Sequence, residues 1–149
     1  SLTAEINLHM PALIPDEYLG DVHQRLLFYK RISNTDTQEK LDNIRMELID
    51  RFGIPPQPVK QLFAVHQLRL KAEMLGITKI DINTNGGYIE FSQDTPVQAM
   101  SIINMMQKHP TFFRMEGGQR LKVMVMLEDF QKRIQFINDL LENLIKELN

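Results

Sequence analysis

Histidine and cysteine, the side chains most often used to bind metals, are scarce in this sequence of 149 residues, which has four histidines and no cysteine. No two histidines have the i, i+4 spacing that presents two imidazoles to one metal from a helix. The absence of cysteine excludes a thiolate metal site, a disulfide and a cysteine nucleophile. The sequence therefore predicts no metal site and no cofactor, and it fits a reducing, cytoplasmic setting. The histidines are His9, His23, His66 and His109.

One histidine, His66, shares a helical face with Val59, Phe63 and Leu70. A histidine on an apolar face is more often packed and hydrogen-bonded than used as a metal ligand or base. The spacing therefore predicts a structural role for His66. His9 and His109 flank turns and are expected to be solvated.

Two glycine pairs, Gly86-Gly87 and Gly117-Gly118, could suggest phosphate-binding loops. Neither pair leads through a Walker-type lysine into a helix, and neither fits the Gly-x-Gly-x-x-Gly pattern. No Gly-x-Ser-x-Gly, Ser-x-x-Lys or kinase-type set of residues occurs either. The glycine pairs therefore indicate hairpin turns, and an independent enzyme is the weakest functional hypothesis.

A small group of charged side chains is the feature best suited to binding another protein. Glu47, Asp50 and Arg51 are spaced i, i+3 and i+4, so a helix places them on one side, away from the apolar residues that precede them. They could form a docking patch. They could equally be a solvated helix face with an internal Glu47–Arg51 pair worth about 0.3 to 0.5 kcal/mol. The residues alone favour the solvated face.

Nucleic-acid binding is the main alternative function. The chain has 17 Lys and Arg against 19 Asp and Glu, a net charge of -2, so it lacks the surplus positive charge that binds phosphates by releasing counterions. Direct DNA binding is therefore disfavoured. If it occurs, the candidate phosphate contacts are Lys60, Arg69, Lys71 and Lys122.

The first half of the chain predicts one strand and three helices. Apolar and polar residues alternate over residues 5–10, as in a half-buried strand. Helices are predicted over residues 21–33, 37–52 and 58–75, with Asp21 capping the first. Asp36 with Glu39 has the spacing of a capping box for the second helix, and Gly53 is expected to end it.

The second half predicts two hairpins and two further helices. Alternating residues flank Asn85-Gly86, which favours a type I′ turn, and a second hairpin is centred on Gly117-Gly118. Between them, Thr95-Pro96 is expected to cap a short helix that ends before Pro110. The first strand must pair with one of these hairpins.

The last segment predicts a long amphipathic helix, because its large apolar residues recur every three or four positions. We expect this helix to pack on its own sheet rather than in a coiled coil or a partner's groove. Its apolar positions are Leu127, Phe130, Ile134, Ile137, Leu141, Leu144 and Leu148.

The predicted fold is α+β: an N-terminal strand and three-helix segment, then two β-hairpins, a short helix and the long C-terminal amphipathic helix, in one compact domain. That domain covers residues 1–149, with Ser1-Leu2 regarded as a remnant of cloning. No run approaches the roughly 20 apolar residues that span a bilayer, and no signal peptide is expected. The prediction is a cytoplasmic domain without a membrane partner.

Several segments, in order, resemble the C-terminal domain of bacterial transcription-repair coupling factors. The similarity runs from about Glu5 to the final helix, and after Met124 only the amphipathic pattern is shared. The segments that carry it are Ile14–Tyr18, Arg25–Ile32, Glu47–Gly53, Leu75–Ile77, Gly86–Phe91 and Arg120–Lys122.

The resemblance implies a regulatory, non-catalytic role. In that family the parent protein displaces stalled RNA polymerase with an ATP-dependent DNA translocase motor, and its N-terminal module recruits the excision-repair damage-recognition protein UvrA. The C-terminal domain folds back on that module and masks the recruitment surface. Glu47, Asp50 and Arg51 lie in the segment that matches the family's contact with the N-terminal module, so the resemblance makes them the leading interdomain contacts.

Overall fold

A computed structural model describes residues 3–148 of the chain. The remnant assigned to Ser1-Leu2 lies outside the described residues. Contacts between the described residues group them into two compact units, one of Pro11–Leu70 and one of residues 3–10 and 71–148. The α+β fold is confirmed, and the assignment of the whole sequence to one domain stays a prediction.

The unit formed by Pro11–Leu70 is helical. It contains α1 (Val22–Ser33), α2 (Gln38–Phe52) and most of α3 (Gln57–Met74), close to the predicted bounds. The Asp21 side chain caps α1 by accepting hydrogen bonds from the backbone N–H groups of His23 and Gln24. The apolar core of this unit consists of Ile14, Leu19, Phe28, Ile32, Leu41, Ile44, Leu48, Val59, Leu62, Phe63 and Leu70.

The predicted cap of α2 was wrong by one residue. Thr37, not Asp36, has the extended backbone of an N-cap, with φ -136° and ψ 154°, and its side chain accepts the backbone N–H of Lys40. Asp36 instead pairs with the Lys40 ammonium group at 2.9 Å. A hydroxyl at the N-cap reaches the third helical amide directly, so Asp36 is free to pair with a side chain. Gly53 ends the helix as expected, with φ 90°.

The other unit contains a five-stranded sheet and two helices. The strands are β1 (Glu5–Asn7), β2 (Ile77–Asn83), β3 (Gly86–Phe91), β4 (Phe113–Glu116) and β5 (Arg120–Val123), and the helices are α4 (Ala99–Lys108) and α5 (Phe130–Lys146). The strand order is β1-β2-β3-β5-β4. The two predicted hairpins are confirmed as β2–β3 and β4–β5, both antiparallel. β1 pairs with a hairpin strand, as expected, and is parallel to β2.

The first strand is shorter than the alternation over residues 5–10 predicts. It ends at Asn7, whose side-chain oxygen accepts the backbone N–H of His9 at 2.9 Å. Among the described residues other than glycine, only His9 has a positive φ, 59°. This local turn redirects the chain before Met10, because an asparagine side chain can hydrogen-bond the backbone two residues on in place of a strand partner.

The predicted type I′ turn at Asn85-Gly86 was also wrong. Asn83 and Gly86 are paired, so the turn residues are Thr84 and Asn85, neither of which has positive φ. The Asn83 side chain accepts the backbone N–H of Asn85 at 2.7 Å, which fixes the turn one residue earlier. Gly86 has φ 99°, and a Cβ there would lie 2.2 Å from the Val123 carbonyl oxygen. Gly86 is therefore required by the close approach of β5.

Thr95 and Pro96 do not begin the short helix, contrary to the prediction. The Thr95 hydroxyl donates to the Leu75 carbonyl at 2.6 Å and accepts the backbone N–H of Val97 at 3.1 Å. It therefore holds the connection after β3. The helix, α4, begins at Ala99 after Gln98, whose side chain makes no capping hydrogen bond.

The last helix, α5, packs within its own unit, which confirms the expectation for the amphipathic segment. Its Phe136 ring contacts the Phe113 ring of β4, with centroids 6.1 Å apart. Burial in this segment differs from the predicted apolar stripe at several positions. Arg133 and Leu140 are buried, whereas Ile134 and Leu148 are only half-buried. The buried side chains of α5 are Phe130, Arg133, Ile137, Leu140, Leu141 and Leu144.

Candidate docking surface

The three predicted contact residues lie on α2, on the side away from its buried stripe. Leu41, Ile44 and Leu48 are buried by the helical unit. An α-helix turns about 100° per residue, so residues 47, 50 and 51 fall on another side. Part of that side adjoins α1. The structure therefore brings Glu47, Asp50 and Arg51 onto one surface, which we call the α2 surface, but gives them different surroundings.

Glu47 is held by an arginine of the neighbouring helix. Arg31 of α1 donates two hydrogen bonds to its carboxylate, at 2.7 and 3.0 Å. The bond from Arg31, and to a smaller extent that from Arg51, holds the pKa of the Glu47 carboxyl below its usual value, although partial burial opposes this. The carboxylate therefore stays charged, and its main partner belongs to the same unit.

Arg51 is also bound within the unit, and its guanidinium lies against aromatic rings. It donates to Glu47 at 3.2 Å and to the side-chain oxygen of Gln24 at 3.1 Å. The guanidinium carbon lies 5.0 Å from the ring centroid of Phe52 and 5.5 Å from that of Phe28. Stacking and hydrogen bonding together fix the direction of this side chain. Arg51 therefore lies away from the buried stripe of α2 and still covers parts of two aromatic rings.

Asp50 has a different environment from the other two residues. It is exposed, and within residues 3–148 it makes neither a hydrogen bond nor an ion pair. It is also in the last turn of α2, where the partial negative charge of the helix end disfavours a carboxylate. Among the three predicted residues, Asp50 is thus the one whose charge is available to a partner.

The sequence prediction missed the contribution of α1 to this surface. Arg31 and Gln24 are separated from their α2 partners by 16 and 27 residues, so the spacing of charges within one helix could not reveal them. The short connection between α1 and α2 was a weak signal that the two helices are neighbours, because helices joined in this way normally pack antiparallel. Such packing brings the start of α1, with Gln24, close to the end of α2, with Arg51.

His66 has the structural role predicted for it. Its Nδ1 accepts a hydrogen bond from the Arg69 guanidinium at 2.9 Å. Burial, and then the nearby charge of Arg69, lower the pKa of His66 to about 4. His66 is thus a neutral hydrogen-bond acceptor at neutral pH. The two histidines expected to be solvated are exposed, and each has a neighbour: His9 bonds Asp81 at 2.5 Å, and His109 stacks on Phe112.

Two of the four basic residues considered for DNA binding are held by neighbours. Arg69 is only 6% exposed and donates to the Ile32 carbonyl and the Thr35 hydroxyl. Lys71 pairs with Glu142 of α5 at 2.8 Å. Of the four candidates, Lys60 and Lys122 then remain, and two lysines are fewer than the several phosphate contacts on which counterion release depends.

Over residues 3–148, the structure contains no group of three or more histidine or acidic side chains arranged to hold a metal ion. The same residues include no helix long and apolar enough to cross a membrane.

Comparison with known proteins identifies relatives over nearly the whole chain. Transcription-repair-coupling factors of Haemophilus influenzae and Escherichia coli are 44% and 42% identical, over 95% and 97% of this chain. The chain spans only 12% and 13% of the length of those proteins. A crystal structure of the C-terminal domain of a transcription-repair coupling factor superimposes with a TM-score of 0.81, at 22% identity, and covers 97% of this chain and 93% of that one.

The fold is therefore that of a transcription-repair coupling factor C-terminal domain. A family model described as the TRCF domain matches residues 8–102, which is more than half of the sequence. The chain belongs to the TRCF domain family.

Proposed function

We propose that this chain is a non-catalytic, autoinhibitory docking domain of a transcription-coupled repair translocase. In the closed state of the parent protein it binds the N-terminal module and covers the surface that recruits UvrA. Engagement of RNA polymerase by the parent releases it. The process takes place in the cytoplasm, and the domain requires no cofactor and no direct contact with DNA.

The observation that carries this proposal is the unpaired carboxylate of Asp50 beside a rigid charged network. Glu47 and Arg51 are held by α1, whereas Asp50 has no partner within residues 3–148. A carboxylate exposed near a helix C-terminus gains little from its own chain. A cation on a partner would supply a favourable contact.

The arrangement suits a latch that must open. Exposed ion pairs contribute modest free energy, typically about 0.2 to 1 kcal/mol each, so they give specificity without locking the complex. A tethered domain needs little intrinsic affinity, because a short linker supplies an effective concentration in the millimolar range. Family membership supports the same role, since the relatives it matches are transcription-repair-coupling factors.

The direct test is charge reversal at Asp50 in the full-length coupling factor that contains this chain. The Asp50→Arg variant should bind UvrA more tightly than the parent in the absence of polymerase. Apparent affinity rises because a larger fraction of the protein is open. Fluorescence anisotropy of labelled UvrA would measure the change, and the melting temperature of each variant would report on folding.

A matched control is Glu39→Arg, which makes the same change in net charge on the same helix. Glu39 is exposed, and it lies about 16 Å from Asp50 along the helix axis. It should leave UvrA affinity unchanged. If both variants behave like the parent while remaining folded, Asp50 has no part in a latch and the proposal loses its main support.

A further inference from the structure

An exposed apolar side chain follows α2 in the helical unit. Ile54 is 83% exposed, the largest value among the large apolar residues that the structure describes. It follows α2 by two residues and Asp50 by four. A single exposed apolar residue is ordinary on a protein surface. Ile54 differs from such residues in how firmly its backbone is held and in the unpaired carboxylate of Asp50 four residues earlier in the chain.

Contacts hold the backbone on one side of Ile54, and a proline restricts it on the other. The Tyr18 hydroxyl hydrogen-bonds the Gly53 carbonyl, with an oxygen–oxygen distance of 2.8 Å, and the Tyr18 ring contacts that of Phe52. On the other side, Pro55 restricts the conformation of Ile54 to extended regions. Isoleucine is itself stiff at χ1 because it branches at Cβ. A partner would therefore lose little conformational entropy when it orders this side chain.

The charges nearby indicate what kind of partner the residue fits. The carboxylate of Asp50 has no partner within residues 3–148, whereas that of Glu47 is already bound by Arg31 and Arg51. Interfaces commonly place an apolar anchor in a recess and surround it with polar contacts that exclude water. A surface with an apolar recess beside an arginine or lysine would complement Ile54 and Asp50 together.

We infer that Ile54 is the apolar anchor of the docking surface, and that it inserts into a recess of the N-terminal module beside a basic side chain. The inference rests on the proposed function and adds the apolar contact to it. Asp50 selects the orientation of the complex, and burial of Ile54 supplies most of its affinity.

The test compares Ile54→Asp with Val22→Asp and with the Asp50→Arg variant, all in the full-length coupling factor. Val22 is also exposed, at 60%, and β-branched. It lies two residues from Gln24 on α1, about 200° around the helix, and so points away from α2. The Ile54→Asp variant should raise apparent UvrA affinity without polymerase about tenfold or more, the factor expected when a buried isoleucine is lost from an interface. Val22→Asp should leave the affinity unchanged.

Each outcome separates the inference from the proposed function. An effect of Asp50→Arg without one of Ile54→Asp would retain the latch and overturn the role of Ile54. No effect of either variant would overturn both.

Sedimentation analysis of this chain tests whether a second copy of the chain binds the surface instead. A dimer that Ile54→Asp dissociates would assign the residue to self-association and overturn the inference. Unchanged melting temperatures show that the Asp variants remain folded.

Discussion

Replacing Arg31 by methionine and Glu47 by glutamine, singly and together, should reveal a coupling free energy of about 0.5 to 1 kcal/mol between the two side chains. Methionine keeps an apolar contact with the Phe28 ring, which lies 5.0 Å from the Arg31 guanidinium carbon. Glutamine keeps the length and hydrogen-bonding oxygen of Glu47. Comparing the two single variants with the double variant, a double-mutant cycle, therefore isolates the charged interaction that joins α1 to α2.

The expected magnitude follows from geometry and exposure. The pair is bidentate, with distances of 2.7 and 3.0 Å, which places it at the upper end for surface pairs. The Arg31 and Glu47 side chains are 46% and 34% exposed, so solvent screening keeps the value well below that of a buried pair. Raising the salt concentration from about 0.05 to 1 M shortens the screening length from more than 10 Å to about 3 Å and should reduce the coupling markedly.

Urea denaturation of the four proteins at pH 7, followed by circular dichroism, measures the coupling from the unfolding free energies. The Asp50→Asn variant is the control, because Asp50 has no partner within residues 3–148, and it should change stability by less than about 0.5 kcal/mol. A coupling below about 0.2 kcal/mol, or one insensitive to salt, would refute the view that Glu47 is held by Arg31. Glu47 would then be as available to a partner as Asp50.

Three further predictions concern the stability of the two units. Replacing buried Arg133 by methionine should lower the unfolding free energy, measured by urea denaturation, by about 3 kcal/mol, because the backbone carbonyls that Arg133 binds lose their donor. The same change at exposed Lys132 should lower it by less than about 0.5 kcal/mol. The Gly86→Ala variant should lose at least about 2 kcal/mol of unfolding free energy, because Gly86 has φ 99° and the new Cβ would lie 2.2 Å from the Val123 carbonyl oxygen. At Gly118 a Cβ would meet no atom within 4 Å, so Gly118→Ala should be tolerated. As the pH falls from 7.5 to 5, the wild type should lose more unfolding free energy than the His66→Gln variant. Burial lowers the pKa of His66 in the folded state from 6.5 to about 4, so the unfolded chain binds the proton at a higher pH than the folded chain does. Lowering the pH therefore favours the unfolded chain. Parallel pH profiles for the two proteins would contradict this linkage.

The candidate site was predictable in part from sequence. Helical spacing grouped Glu47, Asp50 and Arg51 on one side of α2, and the Glu47–Arg51 contact at 3.2 Å agrees with that spacing. Helical spacing could not show that Glu47 and Arg51 have partners on α1 whereas Asp50 has none within residues 3–148. That difference depends on Arg31 and Gln24, which reach the surface only when α1 packs beside α2.

The sequence determined the features that depend on local interactions. The helices over 22–33, 38–52 and 57–74 and the existence of both hairpins follow from apolar periodicity and from capping and turn residues, all of which act within a few residues. The expected role of His66 also followed from local spacing, because the helix that carries it places an apolar face around it and Arg69 one turn away.

Tertiary structure decided the features for which local signals compete or are absent. Asp36 and Thr37 are both good caps, and only the path of the chain into α2 selects Thr37. Arg133 occupies a buried position of α5 because the Leu8 and Leu127 carbonyls and the Thr84 hydroxyl converge there and need a donor. The acceptors at Leu8 and Thr84 lie 125 and 49 residues away in the chain, beyond the reach of any local pattern. Hydrophobic periodicity places an apolar side chain at such a position, and only the assembled sheet and helix make a charged one stable there.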